Sequence, residues 1–267
     1  MSVLIATDLD RTLIYSSAAA GRSVEGLVEV ERYEGRPISY LTPVALTLLA
    51  ELAAAHVVVP VTTRTPEQLA RVRLPVAAPY AVAANGGVLL VDGVADADWT
   101  RLVQVAVADA APVAEAFAVL EHAVPASAAK PSRTAADLFC YRVVDRALLA
   151  PDTLPRLRSW AGAAGWTVSL QGRKLYLVPR ALTKSAAVAE VARRAGTTCT
   201  LAAGDSLLDI DLLAAADLAV RPGHGEIADS GWTAPHVEAL DSLGVAAGED
   251  VLRWLAARAA DVGVPAS

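Results

Sequence analysis

Asp8 and Asp10 stand one residue apart behind the apolar run V-L-I-A at residues 3–6, with Thr12 two residues further on. Such a run reads as a buried strand. Isolated buried charge is costly unless it is paired or binds metal, so two carboxylates closing a buried strand imply work for them. Alternate residues of an extended segment point the same way, and Asp8 and Asp10 can therefore share one site. In open α/β sheets, ligands bind at the C-terminal ends of the strands.

Three further segments carry matching chemistry. V-V-P-V-T-T-R, residues 58–64, is a strand that ends in the hydroxyls of Thr62 and Thr63 and the cation Arg64. Lys184 lies just inside a helix start, from which it can reach an anion. G-D-S-L-L-D, residues 204–209, again follows a strand and brings Asp205 and Asp209. Asp205 alone reads equally as a helix cap. In a parallel sheet the strand ends lie together, so these segments converge.

The elements that must position these residues follow from pattern. Residues 3–7 read as a first strand, and the glycine-rich, charged stretch 16–39 as a loop or hairpin over the site. Thr42-Pro43 opens a helix through residue 55, an N-cap followed by proline at the first helical position. Residues 56–61 form a β-branched, buried parallel strand, and Thr65-Pro66 caps another helix. Residues 80–84 are a strand closed by the turn signal Asn85-Gly86-Gly87. Residues 88–91 and the segment around Trp99 read as a hairpin turning at Asp92-Gly93.

The pattern then changes. Helix (112–122), strand (137–144), helix (154–164) and two strands (166–170 and 174–178) make a small α+β module, least regular at 125–136. Alternation resumes with a helix from Thr183 to about residue 194, stopped at Gly196. A strand (198–203), a helix (206–216), a short strand (218–220), a loop (221–225) and a last helix (248–260) complete the chain. The architecture is a doubly wound α/β core interrupted by an inserted module.

The chain has 267 residues and is 54% hydrophobic, enough for one large or two moderate cores. Its net charge is −6 and it has no basic tract, so nucleic acid is not an expected partner. Cys140 and Cys199, without a Cys-x-x-Cys or Cys/His cluster, read as buried reduced thiols. No signal peptide and no bilayer-spanning stretch are expected from the sequence pattern, and with them a cytoplasmic location and no membrane partner.

The four motifs, in order and type, resemble those of the haloacid dehalogenase superfamily of phosphohydrolases. The module inserted between the second and third motifs is similar to the C2B-type cap of the Cof-like branch, which includes sucrose-phosphate and mannosyl-3-phosphoglycerate phosphatases. The resemblance covers the whole chain. It implies a Rossmann-like core in residues 1–100 and 180–267, and a cap in residues 101–179 that closes over it.

The resemblance also implies roles. Asp8 is the nucleophile and Asp10 the general acid, then base. Thr62 donates to a phosphoryl oxygen, and Lys184 neutralises charge there. Mg²⁺ is the implied cofactor, held by Asp8, the Asp10 carbonyl, Asp205 and, directly or through water, Asp209. Thr12 supports the loop by hydrogen bonding and joins the substrate-binding set with Thr63, Arg64 and Asn85. Arg142, Arg173 and Lys174 of the cap are placed to recognise a second anionic group, or else form a solvated strand edge. Arg64 has two readings, a substrate contact or a salt bridge with a nearby carboxylate. Asn85 likewise contacts substrate or only makes a turn, and His224 reads as structural.

Two positions depart from the family pattern. Arg11 stands where most relatives have glycine, which strains the backbone if an unusual angle is needed there. Thr63 also replaces a frequent glycine. The implied activity is hydrolysis of a small phosphate ester, with a sugar phosphate or phosphoglycerate-type substrate favoured, by a monomer or homodimer. A phosphomutase of the phosphomannomutase type and a non-catalytic phosphate-binding module are the competing readings.

Overall fold

A computed structural model describes residues 2–74 and 78–263. The chain divides into two compact units, Met1–Ala95 with Lys184–Ser267, and Asp96–Thr183.

The first unit is built on a parallel sheet in the order Val237–Ala239, Leu218–Arg221, Thr200–Ala203, Leu4–Thr7, Val57–Pro60. Every residue of Leu4–Thr7 is buried, as a central parallel strand covered on both faces requires. Its register decides where the motifs go. Thr7 lies opposite Ala203 on one side and Pro60 on the other. The three strands stop level, so Asp8, Asp205 and Thr62 leave the sheet at one edge. Leu9, between the two aspartates, instead enters the core with Val3, Ile5, Leu49, Val251 and Leu255. The helices Pro43–Ala55 and Gly244–Gly263 pack together over this core.

Caps fall where the side chains call for them. Thr42 accepts a hydrogen bond from the Ala45 N–H, and Thr65 forms a reciprocal capping box with Gln68. The stretch 16–39 resolves into a hairpin, Val28–Tyr33 with Arg36–Leu41. Its Glu34-Gly35 turn has φ of 50° and 74°, the left-handed pair that matches the twist of a hairpin.

Trp99 corrects the reading from sequence. The strand Val88–Val91 pairs with Tyr80–Ala83 on one side and, across the Asp92-Gly93 turn, with the two-residue strand Val94–Ala95, and Trp99 belongs to the helix Ala97–Ala106. Asp96 accepts from the Trp99 N–H at 2.7 Å and starts that helix. A good N-cap outweighs the strand preference of a single tryptophan. The helix Glu226–Ser230 and the edge strand Val237–Ala239 were also not expected. Both are too short to show a period.

The second unit has an antiparallel sheet in the order Trp166–Gln171, Lys174–Pro179, Phe139–Val143, Arg133–Ala135. The helices Val113–Ala123 and Thr153–Ala164 pack on it and on each other. Gly165, at φ 79°, closes the second helix in the left-handed conformation that glycine adopts without strain. Cys140 and Cys199 are free thiols, and burial pushes Cys140 up to about 12. No described helix is long and apolar enough to cross a membrane.

Candidate active site

The sheet edge gathers Asp8, Lys184, Asp205 and Asp209. Lys184 is fully buried at the start of the helix Lys184–Ala195. Its ammonium donates to Asp8 Oδ1 at 2.7 Å and also to Asp209 Oδ1. The other Asp209 oxygen gathers its own loop, accepting from the Ser206 N–H at 2.8 Å, the Ser206 hydroxyl at 2.7 Å and the Asp205 N–H at 3.2 Å. A Cβ on Gly204 would stand 2.4 Å from the Asp209 Cβ, so this fold-back needs glycine. Gly225, at φ 102°, packs against Asp205 as closely, with 2.4 Å from its would-be Cβ to the Asp205 carbonyl. Asp211 accepts from the Ser185 N–H at 2.7 Å and satisfies one of the free donors at the helix start that bears Lys184.

Asp8, Asp205 and Asp209 present oxygens within 4.8 Å of one another. Burial pushes the Asp8 carboxyl up to about 7; Lys184 opposes that and Asp209 adds to it. Asp205 is raised well above the usual carboxylate range by burial, then by Asp8 and Asp209. Burial works against the Lys184 charge, yet Asp209 and Asp8 outweigh it and hold the ammonium above its ordinary value. Three crowded carboxylates against one lysine leave excess negative charge. An all-oxygen set of this kind fits a hard divalent cation.

Asp10 belongs to a second network. Arg64 grips it in two-toothed fashion, Nε to Oδ2 at 2.7 Å and Nη2 to Oδ1 at 2.8 Å. Arg64 Nη1 lies 2.8 Å from Glu31 Oε1 in the hairpin. Burial disfavours the Arg64 charge, but Asp10 and Glu31 prevail and raise its pKa. Of the two readings of Arg64, the geometry shows the salt bridge. Thr62 is fully buried beside it, and its hydroxyl accepts from the Arg64 N–H at 3.2 Å.

The remaining sequence-predicted residues are placed as follows. Thr63 is buried next to Thr62. Asn85 takes a left-handed φ of 55° and donates its N–H to the Thr62 carbonyl at 2.9 Å, so its turn packs on the second motif. Thr12 is fully buried, but its hydroxyl has no hydrogen-bond partner among the described residues. Thr12 hydrogen-bonds within the loop through its carbonyl, which accepts from the Tyr15 hydroxyl at 3.1 Å. Arg11 has φ 66°, the unusual angle that a glycine would meet without strain. Its Nε lies 3.3 Å from Asp205 Oδ2. His224 Nε2 donates to the Arg11 carbonyl at 2.8 Å, a structural role as expected.

Arg142, Arg173 and Lys174 lie in the Asp96–Thr183 unit. Arg142 is buried and donates to the carbonyls of Lys130 (2.8 Å), Glu121 (3.3 Å) and Val124. Its guanidinium is occupied within its own unit. Arg173 is in the turn before the strand that Lys174 opens, and its carbonyl accepts from Val144.

Glu31, Arg71 and Asp211 escaped the sequence reading. Glu31 and Arg71 sit in segments without strong periodicity, and Asp211 resembles any helix-face acid. The nearest signal for Glu31 was its place in the charged stretch 16–39, which read only as a loop or hairpin over the site.

No protein-family model matches the sequence, and no curated protein matches it. Solved structures do share the fold. The sucrose-phosphatase of Synechocystis sp. PCC6803, in complex with sucrose and phosphate, is 15% identical, with a TM-score of 0.62 over 97% of this chain and 99% of that one. A subclass IIB sugar phosphatase of the haloacid dehalogenase superfamily is 13% identical, with a TM-score of 0.57 over 96% and 98%. A phosphatase of that superfamily from Bacteroides thetaiotaomicron is 15% identical, with a TM-score of 0.53 over 96% and 95%. The chain therefore has the fold of haloacid dehalogenase superfamily phosphatases, a parallel α/β core with an additional α+β unit, as the motifs imply.

Proposed function

We propose that the protein is a Mg²⁺-dependent phosphomonoesterase acting on a small phosphorylated metabolite, with a sugar phosphate favoured. The observation that carries this reading is the meeting of Asp8, Lys184, Asp205 and Asp209 at one sheet edge, with Asp10 and Thr62 on the adjoining loops. The neighbours named as sucrose-phosphatase and sugar phosphatase support the substrate class. The Asp96–Thr183 unit takes the part of the cap.

Each residue then has a task. Asp8 attacks phosphorus, the bond to the leaving alkoxide breaks, and Asp10 gives that alkoxide its proton. Water then attacks the aspartyl-phosphate and passes a proton to Asp10, which releases phosphate and restores Asp8. Lys184 favours the ionised form of Asp8 and orients it. The Thr62 hydroxyl donates to a phosphoryl oxygen. Asp8, Asp205 and Asp209 would hold Mg²⁺, and the Asp10 carbonyl would complete the set. Bound there, the cation neutralises phosphoryl and carboxylate charge.

The test is phosphate release across a panel of phosphorylated metabolites. Asp8→Asn is expected to lower kcat by about 10³-fold or more with an unchanged melting curve. Substantial residual turnover would remove Asp8 as nucleophile. EDTA should silence the enzyme and Mg²⁺ restore it; activity indifferent to chelation would exclude the metal.

A further inference from the structure

The mechanism above leaves one buried acid without a task. The Glu31 side chain is 0% exposed, in a hairpin that otherwise carries its charges outward. Register shifts on both sides of Glu31 mark a bulge, and a bulge re-aims a side chain. The hairpin is pinned from below by a bridge between Glu31 and Val72 and by the Arg73 N–H, which donates to the Val30 carbonyl at 2.7 Å. Within that anchor, Glu31 Oε1 meets Arg64 Nη1 at 2.8 Å and Arg71 Nε at 3.3 Å. Glu31 Oε2 accepts from the Ser39 hydroxyl at 2.6 Å.

A guanidinium is a rigid planar fork, so fixing one edge fixes the other. Glu31 holds the Nη1 edge of Arg64, and the opposite edge faces both oxygens of Asp10. The Asp10 side chain is itself 36% exposed, and that fork bonds both of its oxygens.

We propose that Glu31 is a positioning residue, which holds the Arg64 guanidinium in the plane that aims the Asp10 carboxyl at the leaving oxygen. The inference rests on the phosphomonoesterase reading and on Asp10 as its acid. Its chemical consequence is specific. An alkoxide needs a proton as it departs, whereas p-nitrophenolate leaves without one. A misaimed acid therefore slows cleavage of an alkyl phosphate and largely spares an aryl phosphate. The ratio kcat/KM reports on this cleavage, ahead of the later water attack.

The experiment compares Glu31→Gln with the wild-type chain in Mg²⁺, on glucose 6-phosphate and on p-nitrophenyl phosphate, with Asp10→Asn alongside. Glu31→Gln is expected to lower kcat/KM about 30-fold on the first substrate and less than about 3-fold on the second. Asp10→Asn should show the same selectivity more strongly, and adding Glu31→Gln to it should cost little more. Equal losses on both substrates, or no loss on either, overturn the proposal. An unselective Asp10→Asn removes the acid assignment and this inference with it. A selective Asp10→Asn beside an unselective Glu31→Gln removes the inference alone. Should Glu31→Gln not fold, Ser39→Ala decides: it frees Glu31 Oε2 and is expected to show the same selectivity at about 3-fold, and an unselective effect overturns the proposal.

Discussion

Two charged networks meet at the sheet edge, and their balance differs. The inner one sets three carboxylates, Asp8, Asp205 and Asp209, against Lys184, with Arg11 reaching in at 3.3 Å. The outer one sets Asp10 and Glu31 against Arg64 and Arg71. The inner network is short of positive charge, and its carboxyls Asp8 and Asp205 are pushed upward. The outer network is neutral in itself, and Glu31 lies below the usual carboxylate range. Deficit suits a site that takes up a cation. Balance suits a frame that holds one geometry.

The largest test removes the central cation of each. Lys184→Met strands two buried carboxylates, and breaking a buried pair costs about 3–5 kcal/mol. Arg64→Met leaves Glu31 with Arg71 and Ser39, and leaves Asp10 partly solvated, so it should cost less. Thermal melts in EDTA should rank the two in that order, and the reverse order breaks the comparison. The Lys184→Met loss should also grow with pH. A carboxyl raised in the fold loses stability as pH climbs from its unfolded value near 4 toward its folded value, about 7 for Asp8. Without Lys184 that folded value rises further, so the gap to wild type is wider at pH 8 than at pH 5.5.

A smaller effect sharpens the idea of a deficit. Arg11 stands beside Asp205 and strains its own backbone. Arg11→Gly relieves the angle and withdraws a competing positive charge. Mg²⁺ should then bind up to about 5-fold more tightly, the scale of a partly exposed ion pair. Calorimetric titration measures this directly, and weaker binding would mean that Arg11 supports the metal site rather than competes with it.

The two networks were unequally legible in the sequence. The inner residues follow strands or open helices, where local pattern fixes their place, so Asp8, Lys184, Asp205 and Asp209 could be named from motif and element, and the fold brings them together. The parallel core was readable for the same reason: its strands are apolar runs bounded by caps. The outer network depends on a hairpin bulge and on the docking of residues distant in sequence. Glu31 and Arg71 are 40 residues apart, and no local period marks either as buried. Arg64 could be named, but its carboxylate partners, Asp10 and Glu31, needed the fold. Trp99 failed in the opposite way, because an N-cap three residues earlier overrode a tempting hairpin signal.

The smallest effect concerns acid. Glu31 is buried, which alone would raise its pKa, but Arg64 and the Ser39 hydroxyl bond its charged form and bring it below its ordinary value of 4.5. The sign follows from linkage. A carboxyl depressed in the fold adds stability above its unfolded pKa, and that share is lost as pH falls through the folded value. Wild type should therefore lose stability below about pH 4.5, and Glu31→Gln, with nothing there to protonate, should lose less over the same interval. Glu31→Gln starts lower at neutral pH, since Arg64 and Arg71 have lost their shared partner. The two melting-temperature curves should converge toward acid. Parallel curves would show that Glu31 is not held ionised by its arginines, and the outer network would then lack the balance that sets it apart from the inner one.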